Sequence, residues 1–120
     1  MQSFIQRVCT HLLKKYESDI KHILLTGSQL NPESTDFWSD VDVVVTLSAW
    51  KEFNYEDWLH PLSNLYTIIA QEIHHSPESA TLRLIMNIDN DVAFLDISFY
   101  SEKKWMEGWP EKAGGFKILY

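Results

Sequence analysis

Two stretches decide the fold: His22-Ile23-Leu24-Leu25-Thr26-Gly27-Ser28, and Asp40-Val41-Asp42-Val43-Val44-Val45-Thr46-Leu47. The first is a short apolar run closed by a glycine and a hydroxyl, the pattern of a buried strand that ends in a tight turn. In the second, Val41, Val43 and Val45 alternate with Asp40, Asp42 and Val44. Its β-branched content predicts a strand from about Asp40 to Leu47. Between them Gln29 to Ser39 is polar, with Asn31, Pro32, Ser34, Thr35 and Asp36, and reads as a loop with one helical turn after Ser28.

Upstream, Ser3 and Gln6 have the spacing of a capping box. Phe4, Ile5, Val8, Leu12, Leu13 and Tyr16 then recur at helical spacing, which predicts one amphipathic helix reaching about Ser18. Downstream, Asp57, Trp58, Leu59, Leu62 and Leu65 suggest a helix within Trp50 to Leu65 that Pro61 interrupts. Tyr66 to Ile73 continues that helix or forms a short strand. Ala80 to Ile88 and Val92 to Tyr100 are two strand-like runs joined by Asp89, Asn90 and Asp91, a hairpin with a polar turn. Gly114 and Gly115 precede an apolar run from Phe116 to Tyr120, which reads as a strand cut off before it finds a partner. The order describes an α+β domain, a mixed β-sheet with helices packed on one face.

The chain has 120 residues, with 10 Lys plus Arg against 17 Asp plus Glu and a net charge of −7. That is enough for one domain spanning 1–120 and not for a bilobed enzyme. A hydrophobic share of 45% excludes disorder. The acidic balance argues against nucleic acid, whose phosphates need a Lys/Arg surface. The single cysteine, Cys9, has no internal partner and reads as core packing in a reducing compartment. With no signal peptide and no stretch long enough to span a bilayer, the expectation is a cytoplasmic chain without a membrane partner.

Chemistry is suggested by three acids. Side chains alternate faces along a strand, so Asp40 and Asp42 project from the same side. Two adjacent carboxylates repel, and a divalent cation resolves the conflict. Oxygen ligands suit Mg²⁺, which takes one or two carboxylates together with substrate phosphates. Asp96, among Phe94, Leu95, Ile97 and Phe99, places a charge in an apolar strand and wants a partner. Gly27 lets a phosphate approach the backbone, and Ser28 with the N–H groups of the following turn can bind its oxygens. Taken singly these residues have plainer readings: Asp40 and Asp42 as solvated strand residues, Gly27 as a turn glycine, Ser28 as a helix cap. Together they favour a site. His74 and His75 read as surface residues, and Trp38, beside the acids, is the tryptophan best placed to stack on a base.

A strand, Gly-Ser, a gap, Asp-apolar-Asp and a later acid in a strand resemble the nucleotidyltransferase superfamily that includes DNA polymerase β. Gly27-Ser28-Gln29-Leu30-Asn31-Pro32, Asp36-Phe37-Trp38-Ser39-Asp40-Val41-Asp42, Glu56-Asp57-Trp58-Leu59 and Phe94-Leu95-Asp96-Ile97-Ser98-Phe99 resemble more closely the aminoglycoside 6-adenylyltransferases that modify streptomycin. Val41 stands where an aromatic residue is frequent, and Asn31 where many superfamily members carry Arg.

The resemblance implies a polymerase β-like catalytic domain that lacks the family's C-terminal helical substrate domain. It implies Mg²⁺-dependent transfer of AMP from ATP, or of another nucleoside monophosphate from its triphosphate, to a hydroxyl of an aminoglycoside-like small molecule, and hence antibiotic resistance. Asp40, Asp42 and Asp96 are then the catalytic residues and the ligands of two Mg²⁺ ions, with Mn²⁺ as a substitute. Gly27, Ser28, Asp40 and Asp42 bind the nucleotide. The alternatives are a binding module acting as antitoxin partner of a helical protein, and an inactive truncated remnant. The missing half and the cut strand predict a homo-oligomer.

Overall fold

The computed structural model describes residues 2–27, 41–48, 50, 62–63, 65–88, 90–108 and 116–120. Helix α1 (Gln2–Tyr16) comes first. Among the described residues six strands follow: β1 (Ile20–Thr26), β2 (Val41–Leu47), β3 (Thr67–Ser76), β4 (Ser79–Ile88), β5 (Asp91–Ser101) and β6 (Lys117–Ile118). A short helix, α2 (Glu102–Gly108), lies between β5 and β6. The strands form one sheet in the order β3-β4-β5-β2-β1-β6. Among the described residues only β2 and β5 run parallel, and every other neighbouring pair is antiparallel.

The predicted amphipathic stripe of α1 is the roof of the core. Phe4, Ile5, Val8 and Leu12 are buried against Ile23 and Leu25 of β1, Val41, Val43 and Val45 of β2, and Leu95, Ile97 and Phe99 of β5. β2 is central, and its Val44 and Thr46, on the opposite side, are buried as well. A run of valines is what a strand covered on both faces requires. β1 begins at Ile20, earlier than expected, because a register shift between Ile20 and His22 lets Ile20 join the core.

The ambiguous run after Tyr66 is a strand. Its β-branched Ile68, Ile69 and Ile73 suit an edge position paired to β4. The hairpin of β4 and β5 is as expected, with Ile88 and Asp91 the last partners. Asn90 closes it at a φ of 71°, a conformation that asparagine tolerates. The helix expected within Trp50 to Leu65 and the loop from Gln29 to Ser39 lie mostly or wholly outside the described residues.

Two features differ from expectation. The run from Phe116 to Tyr120 is not left without a partner: β6 pairs with β1, and the Leu119 N–H donates to the Ile23 carbonyl at 2.8 Å. The apolar C-terminal residues therefore pair with β1 within the chain, and β6 forms an edge of the sheet on which Ile118 is exposed. The second feature is α2, which nothing in the periodicity announces. Ser101 caps it, its Oγ accepting the Lys104 N–H at 3.1 Å. Trp105 of α2 packs on Tyr100 and on Phe116. Tyr100 is the register partner of Thr46, on the side of β2 away from α1. The expectation of helices on one face holds for α1 and not for α2.

Cys9 packs against the core from α1. Burial pushes its thiol up to about 11, so at pH 8 the folded protein carries about a hundredfold less thiolate than the unfolded chain. A disulfide-exchange reagent should label it slowly in buffer and rapidly in denaturant. Because the folded value is the raised one, the stability this thiol contributes is present below pH 9 and is lost as the pH climbs towards 11.

Candidate active site

Asp42 is the second residue of β2, and Asp96 lies mid-way along β5. The parallel pairing of these strands makes the two aspartates direct register partners. Partners on adjacent strands share a face, so both carboxylates project from the side opposite α1, on strands about 5 Å apart. Val41 and Val43 flank Asp42 on the buried side, as Leu95 and Ile97 flank Asp96. These apolar neighbours fix which way the strands face, and a one-residue slip would bury both charges.

The register continues in both directions. Thr26 pairs with Asp42, Arg83 of β4 with Asp96, and Glu72 of β3 with Arg83. A single row therefore crosses the sheet: Thr26, Asp42, Asp96, Arg83, Glu72. The Thr26 hydroxyl donates to the Asp42 carbonyl at 3.4 Å. Arg83 Nε lies 3.7 Å from Asp96 Oδ2, and the Asp96 side chain is 24% exposed. The partner expected for Asp96 is thus an arginine that sequence reasoning missed. The hairpin supplied the signal, since Arg83 and Asp96 lie at equal distances from its turn.

Gly27 follows β1 with a φ of +75°, where a side chain is strained. A Cβ there would land on Asp42 Oδ2. Two requirements therefore meet at one position: the left-handed turn, and room for the carboxylate. Gly27 therefore lies against Asp42 and clears space for its carboxylate.

Asp40, Ser28, Asp36 and Trp38 lie outside the described residues. His74 and His75 are exposed, and His74 Nε2 donates to Glu72 Oε1 at 2.6 Å. Among the described residues no group of three His, Cys, Asp or Glu side chains comes together around a common point. Asp42 and Asp96 are a pair. Two unit charges held at the strand spacing repel by about 3 kcal/mol at an effective dielectric near 20. Hard carboxylate oxygens on one face, held by the backbone at adjacent positions, fit a divalent cation such as Mg²⁺.

A model of the streptomycin adenylyltransferase family matches residues 4–114. The chain belongs to the streptomycin adenylyltransferase family. The span matched to streptomycin adenylyltransferase runs from α1 past α2 and contains Gly27, Asp42, Arg83 and Asp96. Membership assigns nucleotidyl transfer as the general chemistry, with a nucleotide and a small-molecule acceptor as substrates. No curated protein and no solved structure matches the chain. Among the described residues no helix is long and apolar enough to cross a membrane.

Gly27→Ala adds a strained φ and a Cβ that meets Asp42, and should cost about 1–3 kcal/mol in urea unfolding. Gly27→Asn tests the two causes separately. Asparagine tolerates the positive φ but still carries a Cβ, so it should remain destabilised if the contact with Asp42 is a real part of the cost.

Proposed function

We propose that the chain is a polymerase β-like nucleotidyltransferase domain that transfers AMP from ATP to a hydroxyl of a small molecule, with release of pyrophosphate. The observation that carries this reading is the register pairing of Asp42 with Asp96 beside a glycine turn that leaves Asp42 room. Asp42 and Asp96 would hold Mg²⁺, with Asp40 as third ligand by the period-two spacing from Asp42. Bound there, Mg²⁺ or Mn²⁺ supplies charge neutralisation for the triphosphate and Lewis acidity towards the attacking hydroxyl.

The chain's own groups do the rest. The backbone after Gly27, with Ser28, grips the terminal phosphates at the β1 end of the row. Asp42 orients the reacting phosphoryl group at the centre. Asp96, on the far side, faces the acceptor and is placed to accept its hydroxyl proton. In-line attack follows from this order, because the leaving pyrophosphate and the entering hydroxyl occupy opposite ends of one row. The aminoglycoside-like acceptor is part of the proposal, as is its enclosure by a second body such as the helical domain of the enzymes this chain resembles.

Asp42→Asn keeps the shape of the side chain and removes a charge that repels Asp96. Without metal the variant should be as stable as the wild type or more so. Mg²⁺ with ATP should raise the melting temperature of the wild type, by mass action, more than ATP alone. The variant should show neither that gain nor transfer of labelled AMP. A wild-type protein whose melting temperature never responds to metal with any nucleoside triphosphate would remove the enzymatic reading. An unfolded Asp42→Asn would make the acids structural instead.

A further inference from the structure

Beyond Asp96 the same face of the sheet carries a groove of about 580 Å³ across β3, β4 and β5, a size suited to a small molecule. Ala70, Ile85 and Phe94 form its apolar wall, and Glu72, Arg83 and Asp96 are its charged groups. In the register Arg83 stands between two carboxylates, Asp96 on β5 and Glu72 on β3. Neither carboxylate forms a hydrogen bond with its guanidinium. The Asp96 carboxylate meets the guanidinium at Nε, at 3.7 Å, and the Glu72 carboxylate accepts from His74 at 2.6 Å instead. Among the described residues the Arg83 side chain makes no other ion pair or hydrogen bond. Its side chain is 60% exposed.

A cross-strand pair whose purpose was stability would close the fork on a carboxylate in two parallel bonds. Here the loose contact through Nε tethers the guanidinium beside Asp96, while its planar outer edge stays available on the groove. That edge matches the paired oxygens of a phosphate or carboxylate, and a lysine ammonium would not match it.

We propose that Arg83 is an anion-receiving residue of the site, whose terminal nitrogens bind a phosphate or carboxylate group of the molecule in the groove. The anion belongs to the nucleotide or to the acceptor, an assignment that rests on the nucleotidyltransferase reading. If it belongs to the acceptor, the acceptor is a hydroxyl compound that carries an acidic group, in place of the aminoglycoside-like one.

The test is calorimetric titration of the full chain in the presence of Mg²⁺ with ATP, glucose 6-phosphate and glucose, on the wild type, Arg83→Gln and Arg83→Lys. Both variants should melt close to the wild type, since Arg83 is exposed and its one contact is loose. Arg83→Gln should weaken ATP or glucose 6-phosphate at least tenfold and leave glucose unchanged, and Arg83→Lys should recover part of the loss. A loss confined to ATP assigns the anion to the nucleotide, and a loss confined to glucose 6-phosphate assigns it to the acceptor. Unchanged affinity for both, an equal loss for glucose, or a wild type that binds neither anion overturns the proposal. A wild type that binds anions through Arg83 yet never transfers labelled AMP leaves the anion site standing and overturns the nucleotidyltransferase reading.

Discussion

The parallel pairing of β2 with β5 sets Asp42 opposite Asp96, and the remainder of the site follows from that alignment. β2 and β5 are the two central strands, buried on the α1 side by Val41, Val43, Val45, Leu95, Ile97 and Phe99. Burying these side chains, at about 1.5–3 kcal/mol each, dwarfs the repulsion of about 3 kcal/mol between two unit charges at the strand spacing. The core therefore dictates the register and the charges have to accept it. A site of like charges persists because its geometry is set by groups that do not take part in the chemistry.

The charged face divides along the row. At the β1 end are Thr26 and Gly27, where the proposed reading puts the phosphates. At the β3 and β4 end are Arg83, Glu72 and an apolar wall, which suit a larger and more varied molecule. Asp42 and Asp96 separate the two ends. Family membership fixes the general chemistry as nucleotidyl transfer, and in the proposed reading that chemistry runs along the row.

Much of this was legible in the residues themselves. The stripe of α1, the valine run of β2 and the hairpin around Asn90 are local patterns of burial and turn chemistry, and each is where its pattern placed it. Asp42, Asp96 and Gly27 were legible because a charge in an apolar strand and a glycine at a strand end both need a reason. α2 escaped notice because a seven-residue helix has little periodicity, although Ser101 before Glu102 is a cap signal. β6 was misread because its partner is β1, at the opposite end of the chain, and distant pairing leaves no local trace. Arg83 was missed because a cross-strand partner shows only when the hairpin is counted through.

The central claim is that Asp42 and Asp96 act as one site. The most direct measurement is a double-mutant cycle on Mn²⁺ affinity in the presence of ATP, using Asp42→Asn, Asp96→Asn and the double variant. Carboxylates that share a cation are coupled, so once one is lost the second substitution should cost far less than it does alone. Losses that simply add would show two independent groups, and would contradict the account.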